Sequence, residues 1–128
     1  CLVFDEATAM LDPEGRAEIL AVVKQLHKEQ HKTIVYITHF MEEAAAADRI
    51  IVLDHGNLAM DGTPREVFAK ADELQKLGLD VPLSVELGAR LRVNGIDLPQ
   101  AIVTEDDLVQ ALGAAAGYAE KGGAPLGD

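Results

Sequence analysis

The chain opens on an unbroken apolar run, Cys1-Leu2-Val3-Phe4, that meets two adjacent acids, Asp5 and Glu6. A second run, Thr33-Ile34-Val35-Tyr36-Ile37-Thr38, is rich in β-branched residues and stops at His39. Both read as short strands. Between them, Asp12-Pro13 predicts a helix start, with the aspartate as N-cap and the proline at the first helical position, where a missing N–H costs nothing. Ile19, Val22, Val23 and Leu26 recur at i, i+3, i+4 and i+7, the stripe expected to pack on the sheet, while Lys24, Gln25, Lys28 and Glu29 face water. Strand, helix, strand predicts a right-handed parallel βαβ unit.

The pattern then shortens. Met41 to Ala47 is a run of helix formers, Ile50 to Leu53 a short strand, and Asp54-His55-Gly56-Asn57 a turn from which Leu58 to Met60 returns as a hairpin partner. Thr63-Pro64-Arg65-Glu66 is a capping box opening a helix expected to reach Lys70. Beyond it the rhythm changes: Leu74 and Leu77 precede Gly78, a helix stop, and Val81-Pro82 opens a helix with Leu83, Leu87 and Leu91 at four-residue spacing that ends at Asn94-Gly95. Thr104-Glu105-Asp106-Asp107 caps a last helix that places Leu108 and Leu112 on one face. The expected division is 1–70, 71–112 as a small helical extension, and a Gly- and Ala-rich tail, 113–128, with too little apolar surface to order itself. There is no internal repeat.

A strand that begins at the first residue leads to the expectation that an upstream part of the domain is missing and that this is a carboxyl-terminal fragment. Its 128 residues are enough for one core, since domains commonly run to roughly 100–150 residues. Acids outnumber Lys plus Arg by 22 to 11, a net charge of −11, which disfavours nonspecific binding to nucleic acid or an anionic membrane. A protein partner or a metal-bound nucleotide fits that charge better. The single cysteine has no intrachain disulfide partner and points to a reducing setting. No apolar run approaches the roughly 18 residues of a spanning helix, so a membrane role is expected to be peripheral.

The chemistry gathers at the strand ends. Side chains at the carboxyl ends of parallel strands project into the crevice where open α/β sheets bind ligands, so Asp5, Glu6 and His39 are expected to converge. His27 and His31 have the i, i+4 spacing of a helical metal pair, but they lack an HExxH context and read as structural.

Residues 1–12, Cys-Leu-Val-Phe-Asp-Glu-Ala-Thr-Ala-Met-Leu-Asp, resemble the Walker B strand and D-loop of an ABC-type ATPase, and Ile37-Thr38-His39 resembles its switch-histidine loop. The family more often has Ser-Ala-Leu-Asp where this chain has Ala9-Met10-Leu11-Asp12, which keeps the aspartate and drops a small hydroxyl. Gly62 to Phe68 resembles importer cassettes, and Gly78-Leu79-Asp80-Val81-Pro82, Gly95-Ile96-Asp97-Leu98-Pro99 and Thr104 to Leu108 are similar to the carboxyl-terminal extension of energy-coupling factor transporter ATP-binding subunits. The resemblance covers about residues 1–112. It implies an α/β fold, the carboxyl-terminal portion of a P-loop ABC nucleotide-binding domain with a parallel βαβ core, a hairpin and a helical extension.

For function, the resemblance implies ATP and Mg²⁺ as cofactors: Asp5 as the Mg²⁺ holder, Glu6 as general base, His39 as a γ-phosphate contact and Asp12 reaching toward a second cassette. The implied partners are a second ABC ATPase subunit, a membrane coupling subunit and a substrate-capture subunit for a vitamin or metal ion, at the cytoplasmic face of the membrane and without nucleic acid. The GxxxxGK[ST] phosphate loop and the LSGGQ-type signature do not occur in these residues, so the fragment by itself is expected to be inactive. Two alternatives stand beside this reading. An SMC- or repair-type ATPase shares the acids and the histidine but predicts heptads and a basic surface; a noncatalytic dimerisation module predicts complex formation with a complete cassette.

Overall fold

Leu2–Asp5 (β1) and Ile34–Ile37 (β2) pair in parallel, Leu2 opposite Ile34 and Asp5 opposite Ile37, in a computed structural model that describes residues 1–117. The chain forms two compact units, Cys1–Ala46 and a second that begins at Ala47.

In the first unit, the crossover is α1, Pro13–Gln30, whose N-cap is Asp12: its carboxylate accepts the Gly15 N–H at 2.9 Å. The helix ends where His31 turns left-handed, φ 50°. Its half-buried positions include Arg16, Ile19, Leu20, Val23 and Leu26, so the expected apolar stripe is shifted and Val22 faces solvent. No α1 residue is fully buried, because a single helix beside two four-residue strands finds too little apolar surface to be enclosed. Phe4 and Tyr36, opposite each other in register, meet with ring centroids 5.8 Å apart, while Val3, Val35 and Ile37 on the other face are exposed. A short helix, α2 (Met41–Ala45), follows His39.

The second unit starts with a hairpin, β3 (Ile50–Asp54) and β4 (Asn57–Gly62), longer than the sequence pattern predicts. His55 and Gly56 both have positive φ, 48° and 80°, as a two-residue type I′ turn requires, and Ala59 is the extra residue of a bulge between the pairs Val52–Met60 and Leu53–Leu58. Arg49 grips Asp61 with two bonds, 2.7 and 2.6 Å, across the pair.

The Thr63 capping box is formed, with the Glu66 N–H given to the threonine hydroxyl and the Thr63 N–H given to the Glu66 carboxylate at 2.8 Å. The helix it opens, α3 (Pro64–Phe68), stops short of Lys70, and α4 (Ala71–Lys76) starts afresh after it. Gly78, at φ 76°, ends α4 in a Schellman turn in which the Leu79 N–H reaches the Leu74 carbonyl. Next come α5 (Leu83–Val93), closed in the same way at Gly95, and α6 (Glu105–Ala115), capped by Thr104 with Asp107 reciprocating. Thus α6 continues past Gly113, where the tail was expected to begin; the rest of that expected tail, 118–128, lies outside the described residues.

A core forms where Leu98, Ile102 and Leu108 pack with Leu91, Ala111 and Leu112. The expected leucine stripe of α5 is split: Leu91 joins this core, whereas Leu83 and Leu87 are exposed. The buried face of α5 is Ser84 and Gly88. The Ser84 hydroxyl donates to the Val103 carbonyl at 2.6 Å, and a Cβ on Gly88 would come within 3.3 Å of the Ile102 side chain. Close approach of the 98–103 segment thus selects small residues on that face. Among the described residues no helix is long and apolar enough to cross a membrane.

Candidate active site

The parallel register sets the ends of β1 and β2 side by side, and the Glu6 N–H continues the ladder to the Ile37 carbonyl at 2.9 Å. The chain then turns sharply. Glu6 takes a left-handed backbone, φ 47°, which is unfavourable for a residue with a Cβ and lifts its carboxylate out of the strand's line. The turn is closed by the Ala9 N–H on the Glu6 carbonyl and by the Leu11 N–H on the Thr8 carbonyl.

Across the gap, His39 leaves β2 with its ring Nδ1 3.4 Å from the Glu6 Oε1, so two expected site residues 33 positions apart in sequence do meet. Both side chains are a little over half exposed, which leaves them open to a ligand. Asp5, at the last position of β1, is exposed beside them. Asp12 lies further along, with its carboxylate engaged as the cap of α1.

Several neighbours had no signal of their own in the sequence. The His39 ring lies against Phe40, centroids 4.3 Å apart, and the Arg16 guanidinium covers the Phe40 ring at 4.1 Å. Below the surface, Thr8 and Glu43 are buried, and the Glu43 carboxylate accepts the Thr8 hydroxyl at 2.6 Å and the Thr38 hydroxyl at 2.5 Å. The Phe40 N–H in turn donates to the Thr38 oxygen at 3.0 Å, and the Tyr36 hydroxyl is 3.4 Å from the Thr8 oxygen. The sequence marks Glu43 only as one of a run of helix formers, and its burial goes with its two threonine partners. At the end of α1, the His27 ring nitrogen meets the Lys32 carbonyl at 2.8 Å and His31 supplies the left-handed cap, so both have structural work there. Among the described residues, no group of three or more His, Cys, Asp or Glu side chains is placed to hold a metal ion.

Chemically, the arrangement offers a carboxylate for a hard cation, a second carboxylate that can take a proton from water, and an imidazole that can donate to an anion. Known proteins carry the same stretch. The energy-coupling factor transporter ATP-binding protein EcfA1 of Symbiobacterium thermophilum is 57% identical over 112 residues, which is 88% of this chain and 39% of the relative. The chain resembles part of the ATP-binding subunits of energy-coupling factor transporters. The EcfA1 proteins of Caldanaerobacter subterraneus and Clostridioides difficile are 52% and 50% identical over 88% of this chain, with 40% of each relative covered. The solved structure of cbiO1 from Clostridium perfringens, described as part of the ABC transporter complex cbiONQ, matches with a TM-score of 0.51 and 31% identity over 71% of this chain and 36% of that one. No protein-family model matches the chain. The α/β architecture is therefore part of an ABC nucleotide-binding domain, and the chain spans 39–40% of the length of these EcfA1 relatives. Those relatives are named for transport.

Proposed function

We propose that this chain is the carboxyl-terminal part of the ATP-binding subunit of an energy-coupling factor importer, which couples ATP hydrolysis to uptake of a vitamin or metal ion. The observation that carries this reading is the meeting of Glu6 and His39 at 3.4 Å on adjacent parallel strand ends, inside a sequence 57% identical to a transporter ATP-binding protein. Residues 1–70 supply the catalytic end of the cassette and 71–112 its helical extension. The subunit works as a dimer of ATPases at the cytoplasmic face of the membrane, docked on a membrane coupling subunit that carries a substrate-capture subunit.

The residues have distinct tasks. Glu6 accepts the proton of the attacking water, a general-base contribution of about 10²–10⁴ in rate. His39 donates to the γ-phosphate as charge develops on it. Asp12, at the start of α1, reaches the opposite cassette. The donor set fits Mg²⁺, which keeps several waters and needs only one or two hard carboxylates besides the phosphate oxygens; exposed Asp5 is the residue that would hold it. When bound, that ion neutralises charge on the β- and γ-phosphate oxygens.

In the complete subunit, Glu6→Gln is expected to lower steady-state phosphate release by about 10²-fold or more while nucleotide affinity is retained. Turnover near wild type would remove Glu6 from the general-base role.

A further inference from the structure

The one buried residue of α2 is an acid, Glu43. An isolated buried carboxylate is costly, and it persists where hydrogen bonds satisfy its charge. Here the two oxygens are divided between two elements. One takes the hydroxyl of Thr8, two residues past Glu6 in the turn after β1, and the other takes the hydroxyl of Thr38, the residue before His39 at the end of β2. Both bonds, 2.6 and 2.5 Å, have the short length of hydroxyl-to-carboxylate bonds. Each threonine oxygen also accepts, Thr38 from the Phe40 N–H at 3.0 Å and Thr8 from the Tyr36 hydroxyl at 3.4 Å, so neither hydroxyl is free to rotate without breaking a partner bond.

Apolar residues of similar shape would fill this space with less risk, because an incompletely satisfied polar network is worse than none. A directional network does what apolar packing does not: it holds two loops at one separation. Backbone strain such as that at Glu6 persists only where the surroundings over-determine it, and the Thr8–Glu43 bond anchors the same turn.

We propose that Glu43 is a positioning residue for hydrolysis: by gripping Thr8 and Thr38 together it sets the distance between Glu6 and His39. It does not touch the nucleotide. The inference rests on the assignment of Glu6 and His39 to the hydrolytic site.

The test is steady-state ATPase kinetics of the complete subunit. Glu43→Ala lowers kcat by about 10–100-fold, the scale of an ångström-sized misplacement of catalytic groups, and leaves KM for Mg²⁺-ATP within about threefold. Glu43→Gln recovers part of that loss, since its amide accepts from one threonine and donates to the other. Thr8→Val, which keeps the side-chain shape and deletes the hydroxyl, reproduces the kcat loss and decides the matter if Glu43→Ala does not fold. An unchanged kcat in Glu43→Ala or Thr8→Val, or no recovery in Glu43→Gln, overturns the positioning role while Glu6→Gln remains inactive. Wild-type turnover in Glu6→Gln overturns the site assignment itself, and this inference with it.

Discussion

At the scale of single residues, His39 has its orientation set from two directions. Phe40 lies against its ring and is itself covered by Arg16, while Thr38, held by Glu43, fixes the backbone just before it. An imidazole so placed needs little reorganisation to meet developing charge, which is the condition under which a hydrogen-bond donor contributes most to a transition state. His39→Ala in the complete subunit is therefore expected to lower turnover by about 10²-fold with a much smaller change in nucleotide affinity. Turnover and affinity measured on the same preparation check it; if neither changes, the histidine is only a structural neighbour of Glu6.

Among the elements, the helix caps carry a pH signature. Bonds from the Thr104 N–H, then the Val103 N–H and the Thr104 hydroxyl, outweigh partial burial and hold the Asp107 carboxyl below the ordinary range, with Arg65 at 4.0 Å adding to the effect. The Thr63 N–H and hydroxyl do the same for Glu66. A carboxyl whose folded pKa is depressed adds stability that is complete above its unfolded value and is lost as pH falls through the folded one. Asp107→Asn keeps an oxygen for the cap and removes the titration. Its melting temperature is expected to lie a few degrees below wild type near neutral pH, with the gap closing as the solution is acidified through the lowered range. Circular dichroism melts across that range measure the gap. A constant offset would show that the cap works through shape and not through charge.

For the whole molecule, the balance of −11 and the lack of a GxxxxGK[ST] loop in these residues act in the same direction. On the proposed assignment Asp5 and Glu6 offer a place for a cation and for water, but no GxxxxGK[ST] loop, whose backbone N–H groups and lysine would hold a polyphosphate, occurs in these residues, and surplus acid repels a free nucleotide. Calorimetric titration of the 128-residue chain with Mg²⁺-ATP is expected to show no saturable binding in the micromolar range. Saturable micromolar binding would place a nucleotide site outside the motifs that the family uses.

What the sequence determined by itself is local. Asp12, Thr63 and Thr104 cap helices, Gly78 and Gly95 end them, and His55-Gly56 turns the hairpin, because each depends on hydrogen bonds or backbone angles within a few residues. The convergence of Glu6 with His39 was also legible, since two strands ending in chemistry need only pair in parallel to bring them together. Tertiary structure alone decided which helix faces are buried. Periodicity marks apolar positions, so it pointed to Val22, Leu83 and Leu87, all exposed, and passed over Ser84, Gly88 and Glu43, all buried. Small or polar residues enter an interior when a neighbouring segment comes very close or supplies the right donors, as the 98–103 segment does for Ser84 and Gly88 and the two threonines do for Glu43. Apart from Thr38, five residues before Glu43, those neighbours are distant in sequence, and their approach is a property of the folded chain.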